Sequence, residues 1–301
     1  MKIIVTGSLG HISRPLTEQL VKEGHEVTVI SRDPEKQKDI EALGATAAIG
    51  SMEDVKFLTE IFTGADAAYC MEAPGRFLDP NFDLMAHIDQ LGNNYKQAIQ
   101  ESGIKRVIHL SSIGAHTDKG NGILAFHYNM EQILNTLPSD VAITFMRPVG
   151  FYYNLFAFIG TIKTQGIIAS NYGDDDKDPW VSPLDIADAI AEEIEIQKPG
   201  ERKVRYVASD QLTCNEVAAI LGEAIGKPDL KWVLISDEQV LNGMLAAGVN
   251  PQIAKGLVEM NASRRNGTLY EDYYRHEPVL GKVKMKDFAP EFAAVYNQPT
   301  T

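Results

Sequence analysis

Short apolar runs alternate with stretches of helical periodicity through the first half of the 301-residue chain. The apolar runs lack a regular polar face, which is typical of strands covered on both sides. They predict strands over 2–6, 25–31, 45–49, 66–71, 106–110 and 142–146, with helices over 13–22, 52–62, 84–102 and 126–137. Strict alternation of strand and helix requires right-handed crossovers and a mostly parallel sheet. The pattern therefore predicts an α/β fold with a doubly wound Rossmann sheet.

The regular alternation ends after Arg147 and Pro148. The rest of the chain predicts helices over 154–163, 184–196, 215–225 and 286–296, strands over 204–208 and near Trp232, and an acidic loop over 174–178. No linker-like composition separates the two halves. We therefore expect a dinucleotide-binding Rossmann domain over 1–150 and a smaller mixed α/β lobe over 151–301, interleaved with the end of the sheet.

The composition narrows the class of partner. A net charge of −13 argues against direct binding to nucleic acid or to an anionic membrane. The two cysteines lie far apart in the sequence, which excludes a disulfide framework and a zinc finger and suits a reducing compartment. The apolar run after Met1 is too short for a signal peptide, and no stretch is long enough to span a membrane. We expect a cytoplasmic protein.

The segment GSLGHIS over 7–13 directly follows the first strand and begins the first helix. Gly7 permits a tight turn, and Gly10 permits close approach to a pyrophosphate that binds the amides at the helix N-terminus. Ser13 stands where a third glycine is common, and it is small enough to serve. The alternative is a turn that uses glycine for its geometry alone. The cofactor residues predicted here are Gly7, Ser8, Gly10, His11 and Ile12.

The end of the second strand indicates which dinucleotide is bound. NAD enzymes usually place an acid there for the ribose hydroxyl, whereas this chain has Ser31 and Arg32. A guanidinium can bind a ribose phosphate with two hydrogen bonds, and a serine hydroxyl can donate a further one. Asp33 could instead face a ribose. The sequence predicts NADP(H) in preference to NAD(H).

Seven segments in this order resemble the NmrA-like group of atypical short-chain dehydrogenase/reductases over nearly the whole chain. They are VTGSLGHIS, SRDPEK, CMEAP, HLSSIGA, the helix with His127 and Glu131, FMRPVGFYYN and PWVSPLDIADAIAEEI. The resemblance implies a Rossmann domain, a small C-terminal lobe and a dinucleotide over the strand ends. The group includes NADPH-dependent reductases of quinones or aromatic compounds. It also includes regulatory proteins that bind the dinucleotide without turning it over.

Other predicted site residues follow the strands at the carboxyl edge of the sheet, where ligands of such folds bind. Ala73 and Pro74 are expected under the cofactor, and Pro148 on the nicotinamide side. Ser111 is expected to contact the cofactor and Ser112 to orient the substrate. A capping or turn role for the two serines is the alternative.

The helix over 126–137 carries the candidate catalytic residues. Typical short-chain dehydrogenases use a Tyr-x-x-x-Lys pair, but Tyr128 is followed at that spacing by Gln132. Many NmrA-like reductases instead carry a lysine four residues before a glutamate, and here His127 precedes Glu131 at that spacing. Residues so spaced share a helix face, so we expect Glu131 to favour the imidazolium of His127. A partly buried histidine without chemistry is the alternative. The predicted catalytic residues are His127, Tyr128 and Ser112.

The segment after the sixth strand predicts a substrate pocket with aromatic walls. Its predicted lining residues are Phe151, Tyr152 and Asn154. Aromatic walls suit a flat apolar substrate such as a quinone, although these rings could equally form core between the lobes. No metal is expected, because the acidic run over 174–178 lacks the spaced ligands and the glycine of a calcium loop.

Two hypotheses follow from the sequence. The first is an NADPH-dependent reductase of a quinone, a carbonyl compound or a similar small electrophile. The second is a regulatory protein that senses NADP(H) without catalysis and binds a protein partner, and the missing Tyr–Lys pair motivates it. A sugar-nucleotide epimerase is disfavoured, because that reaction needs the tyrosine as a base.

Overall fold

The computed structural model describes residues 1–73, 75–173, 175, 177–196 and 198–299. Its strands are β1 (Lys2–Val5), β2 (Glu26–Ser31), β3 (Thr46–Ile49), β4 (Ala67–Cys70), β5 (Arg106–Leu110), β6 (Ala142–Pro148), β7 (Gly150–Phe151), β8 (Ile167–Ser170), β9 (Lys177–Val181), β10 (Arg202–Val207), β11 (Asp210–Thr213) and β12 (Lys231–Leu234). Its helices are α1 (Ser13–Lys22), α2 (Gln37–Ala42), α3 (Val55–Phe62), α4 (Leu84–Ser102), α5 (Ala125–Asn135), α6 (Ile159–Gln165), α7 (Pro183–Glu195), α8 (Cys214–Ala224), α9 (Asp237–Ala246), α10 (Pro251–Arg265), α11 (Glu271–Arg275) and α12 (Met285–Tyr296).

Seven strands form one sheet in the order β10-β6-β5-β4-β1-β2-β3, and all their pairings are parallel. Successive residues of a strand point to opposite faces, so Ile3 and Val5 enter one core and Ile4 the other. Helices α1 and α7 pack in the first core, and α3, α4 and α5 pack in the second. The predicted doubly wound Rossmann sheet is confirmed.

The second half of the chain contributes the edge strand β10, which pairs with β6. Two smaller sheets, β11-β9-β7 and β12-β8, lie beside a third apolar core that α8 and α12 line. The division into a Rossmann domain over 1–150 and an interleaved lobe over 151–301 stays a prediction. Along the described ranges, no helix combines the length and the apolar character that a membrane crossing needs.

Several predicted boundaries differ from the structure for local reasons. The helix predicted from residue 52 begins at Val55, because the Asp54 side chain accepts a hydrogen bond from the Phe57 amide and caps the helix. The helix predicted over 154–163 is a 3-10 helix over Tyr152–Phe158 followed by α6. Asp178 belongs to β9 rather than to an acidic loop. Residues 174 and 176 of that predicted loop lie outside the described residues.

Candidate functional site

The turn between β1 and α1 has a backbone that few residues other than glycine adopt. Gly7 has φ +89°, and Ser8 has φ 55°, the one positive φ of a non-glycine residue among the described residues. A Cβ at Gly7 would lie 2.7 Å from the Ser13 Oγ and 3.0 Å from the Met71 Sδ. A side chain at Gly7 would therefore crowd Ser13 and Met71 and strain the backbone, and a Cβ at the exposed Gly10 would lie 3.2 Å from the Gly7 carbonyl oxygen.

The N-terminus of α1 is free of acidic side chains. The Ser13 hydroxyl donates to the Thr6 carbonyl at 2.8 Å, which fixes the helix against the end of β1. The first turn of α1 contains no acidic residue, and its N-cap residue, Ile12, offers no side-chain acceptor. The positive end of the helix dipole and the nearby amides thus face the turn without a competing carboxylate. The residues present fit a dinucleotide pyrophosphate.

Arg32 and Asp33 differ in what they already bind. The Asp33 side chain accepts a hydrogen bond from the Glu35 amide at 2.9 Å and so caps the following 3-10 turn. Arg32 is exposed, and it makes no ion pair or side-chain hydrogen bond to any residue that the structure describes. Ser31 is buried and accepts a hydrogen bond from the Ser8 hydroxyl at 3.0 Å. Arg32 is thus exposed without a described partner, whereas one carboxylate oxygen of Asp33 is already engaged.

The other strand ends bring further predicted residues to the same edge. Ala73 is half-buried, and Pro74 lies outside the described residues. The Pro148 carbonyl accepts a hydrogen bond from the Ile113 amide at 2.9 Å. The buried Ser111 hydroxyl donates to Glu131 at 2.5 Å, whereas Ser112 is half-buried and its hydroxyl donates to no described residue.

Glu131 pairs with Arg147 rather than with His127, which corrects the expectation from the spacing of His127 and Glu131. The Glu131 carboxylate instead accepts two hydrogen bonds from the buried guanidinium of Arg147, at 2.9 Å from Nε and 2.6 Å from Nη2. Burial and the neighbouring His109 lower the pKa of His127 to about 3. His127 is therefore a neutral imidazole at neutral pH, and its Nδ1 is buried without a hydrogen-bond partner among the described residues.

A buried acid–histidine pair that the sequence pattern does not predict lies beside His127. The Glu72 Oε1 and the His109 Nε2 are 2.5 Å apart, and both side chains are almost fully buried. Glu72 follows β4, and His109 stands within the buried strand β5, between Ile108 and Leu110. A polar residue inside a buried strand requires a partner, and that rule could have pointed to the pair.

The predicted substrate pocket is only partly assembled. Tyr152 is fully buried in the third core, where its hydroxyl donates to the Val283 carbonyl at 3.0 Å, so its assignment to a pocket wall is wrong. Its neighbour Tyr153 stacks on His11 of the turn with ring centroids 4.6 Å apart. Phe151 is half-buried and lies 5.1 Å from the Tyr153 ring, and Asn154 is exposed. Desolvation raises the pKa of Tyr153 to about 12, so it stays neutral.

A cavity of about 700 Å³ lies elsewhere, along the outer edge of the sheet. It is lined by residues of α7, of β10 and of the segment 276–282, and none of its lining residues belongs to the turn over 7–13. Arg147 contributes to its wall, so the cavity lies behind the Glu131–Arg147 pair. The candidate site is therefore defined by the strand ends rather than by this cavity.

Comparison with known proteins relates the chain to one family. The model of the NmrA-like family matches residues 1–299. An NAD(P)H azoreductase of Xenophilus azovorans is 26% identical over 263 residues, which cover 86% of each chain. This relative spans both halves of the chain, so the similarity is not confined to the N-terminal turn.

Solved structures share the fold. An NADPH-dependent quinone oxidoreductase of Escherichia coli, complexed with NADPH, superposes with a TM-score of 0.78 at 21% identity, covering 96% of this chain and 99% of that one. A triphenylmethane reductase of Citrobacter, complexed with NADP(H), has a TM-score of 0.74 at 20% identity, covering 97% and 99%. At this level of identity the similarity demonstrates the fold alone.

Proposed function

The chain belongs to the NmrA-like family, and on that premise we propose that it is an NAD(P)H-dependent reductase of a quinone, a carbonyl compound or a similar small electrophile. The observation that carries the proposal is the turn over 7–13. Its left-handed backbone at Gly7 and Ser8 and the carboxylate-free start of α1 fit a dinucleotide pyrophosphate. Relatives named for NAD(P)H-dependent reduction, which match most of the chain, support the same activity.

We expect NADP(H) to bind more tightly than NAD(H). Arg32 supports this preference, because its guanidinium is exposed near the turn and engages no other described group. The alternative residue, Asp33, already caps a 3-10 turn. The residues expected to hold the cofactor are Gly7, Ser8, Gly10, His11, Ile12, Ser31, Arg32, Ala73, Pro74, Ser111 and Pro148.

Bound NADPH would supply a hydride, and the chain's own residues would orient the acceptor and place donors at the oxygen that gains charge. The candidate donors are His127, Tyr128 and Ser112. Since the pKa of His127 is about 3, its imidazole can donate a hydrogen bond but is not a reservoir of protons at neutral pH. Tyr128 lacks the lysine that usually assists it, because Gln132 stands at that position.

Neutral donors suit an electron-poor acceptor. Hydride transfer to a quinone leaves a phenolate, whose pKa resembles that of tyrosine, about 10. Such an oxygen is stabilised sufficiently by hydrogen bonds and can take its proton from water afterwards. A simple ketone would leave a far more basic alkoxide, which needs a stronger acid in the transition state. We therefore expect quinones and similarly electron-poor compounds to be better substrates than simple ketones.

The partner in this proposal is a small molecule in the cytoplasm. Both cysteines are buried free thiols, which is compatible with a reducing compartment. The net charge of −13 disfavours nucleic acid and anionic lipid as partners.

The test is consumption of NADPH by the purified protein with naphthoquinone, an azo dye, an aldehyde and a simple ketone. We expect consumption with naphthoquinone or the azo dye, and slower or no consumption with the ketone. Tight dinucleotide binding without consumption for any acceptor would contradict the reductase. That result would favour a regulatory protein, in which the dinucleotide and a protein partner change each other's affinity reciprocally.

A further inference from the structure

Three aromatic rings connect the second half of the chain to the turn over 7–13. The Tyr153 ring stacks on the His11 ring, with centroids 4.6 Å apart and planes 20° from parallel. The Phe151 ring lies 5.1 Å from the Tyr153 ring, at an angle of 44°. Aromatic pairs at such separations attract each other beyond the effect of the area that they bury. These contacts run from Phe151 through Tyr153 to His11, and the three rings form an aromatic bridge.

The far end of the aromatic bridge is anchored in the second half of the chain. Phe151 belongs to β7, which pairs with β9, and its side chain packs against the first core. Tyr153 lies in the 3-10 helix that follows β7, where the preceding residue, Tyr152, is fully buried in the third core. Tyr153 itself is half-buried. Because its backbone is anchored in this way, its ring loses little further entropy when it stacks on His11.

The turn also has attachments within the first half of the chain. The Ser8 hydroxyl donates to a serine of β2 at 3.0 Å, and the Ser13 hydroxyl donates to the carbonyl that follows β1 at 2.8 Å. His11 lies between these two attachments in the sequence and is exposed. The contact with Tyr153 therefore attaches an exposed part of the turn to the second half of the chain.

The aromatic bridge reaches the turn from one side of the sheet. Phe151 comes shortly after Pro148 at the end of β6, which we expect on the nicotinamide side. Arg32, which we expect to bind the ribose phosphate of the adenosine half, follows the end of β2. Strands β6 and β2 lie on opposite sides of β1 in the sheet. The aromatic bridge and Arg32 therefore approach the turn from opposite sides, toward different halves of a dinucleotide.

We propose that Tyr153 positions the turn for the dinucleotide, and that it supports binding of the nicotinamide half but not of the adenosine half. Stacking restrains the exposed His11, so the turn loses less conformational freedom when the pyrophosphate binds. Tyr153 acts through His11 and is a positioning residue. The inference rests on the proposed reductase and its dinucleotide, and it deepens that proposal by making cofactor affinity depend on the second half of the chain.

The experiment compares two probes, NADP⁺ and adenosine 2′,5′-bisphosphate, which has the ribose phosphate but lacks the nicotinamide half. Calorimetry measures the binding of each probe to the full chain. Tyr153→Leu removes the ring that stacks on His11, whereas Tyr153→Phe keeps a ring and removes only the hydroxyl. Phe158→Leu is the matched control, because Phe158 lies in the same 3-10 helix but packs against Trp232 instead of the turn.

Tyr153→Leu should weaken NADP⁺ binding about three- to tenfold, as expected for the loss of one aromatic pair, and should leave the bisphosphate affinity unchanged. Tyr153→Phe and Phe158→Leu should retain both affinities. Unchanged NADP⁺ binding in Tyr153→Leu, or equal loss of both probes, would overturn the positioning role. If Tyr153→Leu does not fold, the exposed His11 is varied instead. His11→Phe should then retain NADP⁺ affinity and His11→Leu should lose it, and equal losses in these two variants would overturn the positioning role.

NADPH consumption with naphthoquinone is measured on the same proteins, so the two proposals fail separately. Turnover by the wild type, together with equal NADP⁺ affinities of the wild type and Tyr153→Leu, would reject the positioning role and keep the reductase. A selective loss of NADP⁺ affinity in Tyr153→Leu, without NADPH consumption by the wild type, would keep the positioning role and reject the reductase. Binding of neither probe by the wild type would reject both.

Discussion

At the scale of single residues, we expect Arg32 to decide which dinucleotide is preferred. Arg32→Ala should weaken NADPH binding about 10- to 100-fold, because it removes charge-assisted hydrogen bonds to the ribose phosphate. NADH binding should be nearly unchanged. Equilibrium titration measures both. Lys38→Ala, an exposed lysine on α2, is the control and should alter neither affinity strongly. An equal loss of both dinucleotides in Arg32→Ala would mean that Arg32 does not bind the phosphate.

His127 should make stability depend on pH in a defined direction. Its folded-state pKa, about 3, lies below the unfolded value, so its contribution is complete above about pH 6.5 and is lost as pH falls towards 3. Between about pH 7.5 and pH 5 the wild type should lose about 2 kcal/mol more unfolding free energy than His127→Gln. Urea denaturation at both pH values measures this difference. Parallel losses in the two proteins would show that His127 is not buried as a neutral base.

The Glu131 pairing shows what residue spacing can and cannot predict. The sequence correctly indicates that His127 and Glu131 are close along one helix, four residues apart. It does not reveal that Arg147, on a separate strand, brings two donors to the same carboxylate. A bidentate guanidinium binds a carboxylate more strongly than a buried imidazole that must first take up a proton. Competition between distant residues depends on tertiary structure and is absent from local patterns.

At the scale of elements, the turn between β1 and α1 should fail if a side chain is added at Gly7. Gly7→Ala adds both strain at φ +89° and a Cβ 2.7 Å from the Ser13 Oγ, so dinucleotide binding should be lost. Gly24→Ala is the matched control, because Gly24 has φ +87° with no heavy atom within 4 Å of its Cβ, at the opposite end of α1. It should lower stability but retain NADPH binding, as measured by titration. Retained binding in Gly7→Ala would argue against this turn as the phosphate site.

Helix α4 could be predicted from the sequence, whereas two of the short strands could not. Helix α4, predicted over 84–102, has those bounds, because Asp83 caps its start and Gly103 ends it in the left-handed region. The short strands β8 and β11, each four residues long, were not predicted. Strand β8 pairs with β12, and β11 pairs with β9. This pairing, rather than a periodic pattern in their own sequences, makes them strands. Tyr152, in a 3-10 helix, is buried by tertiary packing in the third core, which its local sequence does not reveal.

At the scale of the whole molecule, Arg147 connects the two halves of the chain. It bonds to Glu131 on α5, to Tyr206 on β10 and to Asp272 on α11. Arg147→Met leaves the Glu131 carboxylate buried without its cation, which should lower the free energy of unfolding by about 3–5 kcal/mol. Chemical denaturation measures the loss. The double variant with Glu131→Gln should be more stable than Arg147→Met alone, and a double variant that is no more stable would contradict a buried ion pair.

We expect a dinucleotide site at the carboxyl edge of the parallel sheet, beside the turn over 7–13. Calorimetric titration of the purified wild-type chain with NADPH and with NADH tests it most directly. We expect saturable binding of one NADPH per chain, tighter than NADH by about tenfold or more. Absence of binding by either dinucleotide would contradict a dinucleotide site in this fold, and tighter binding of NADH would contradict the role proposed for Arg32.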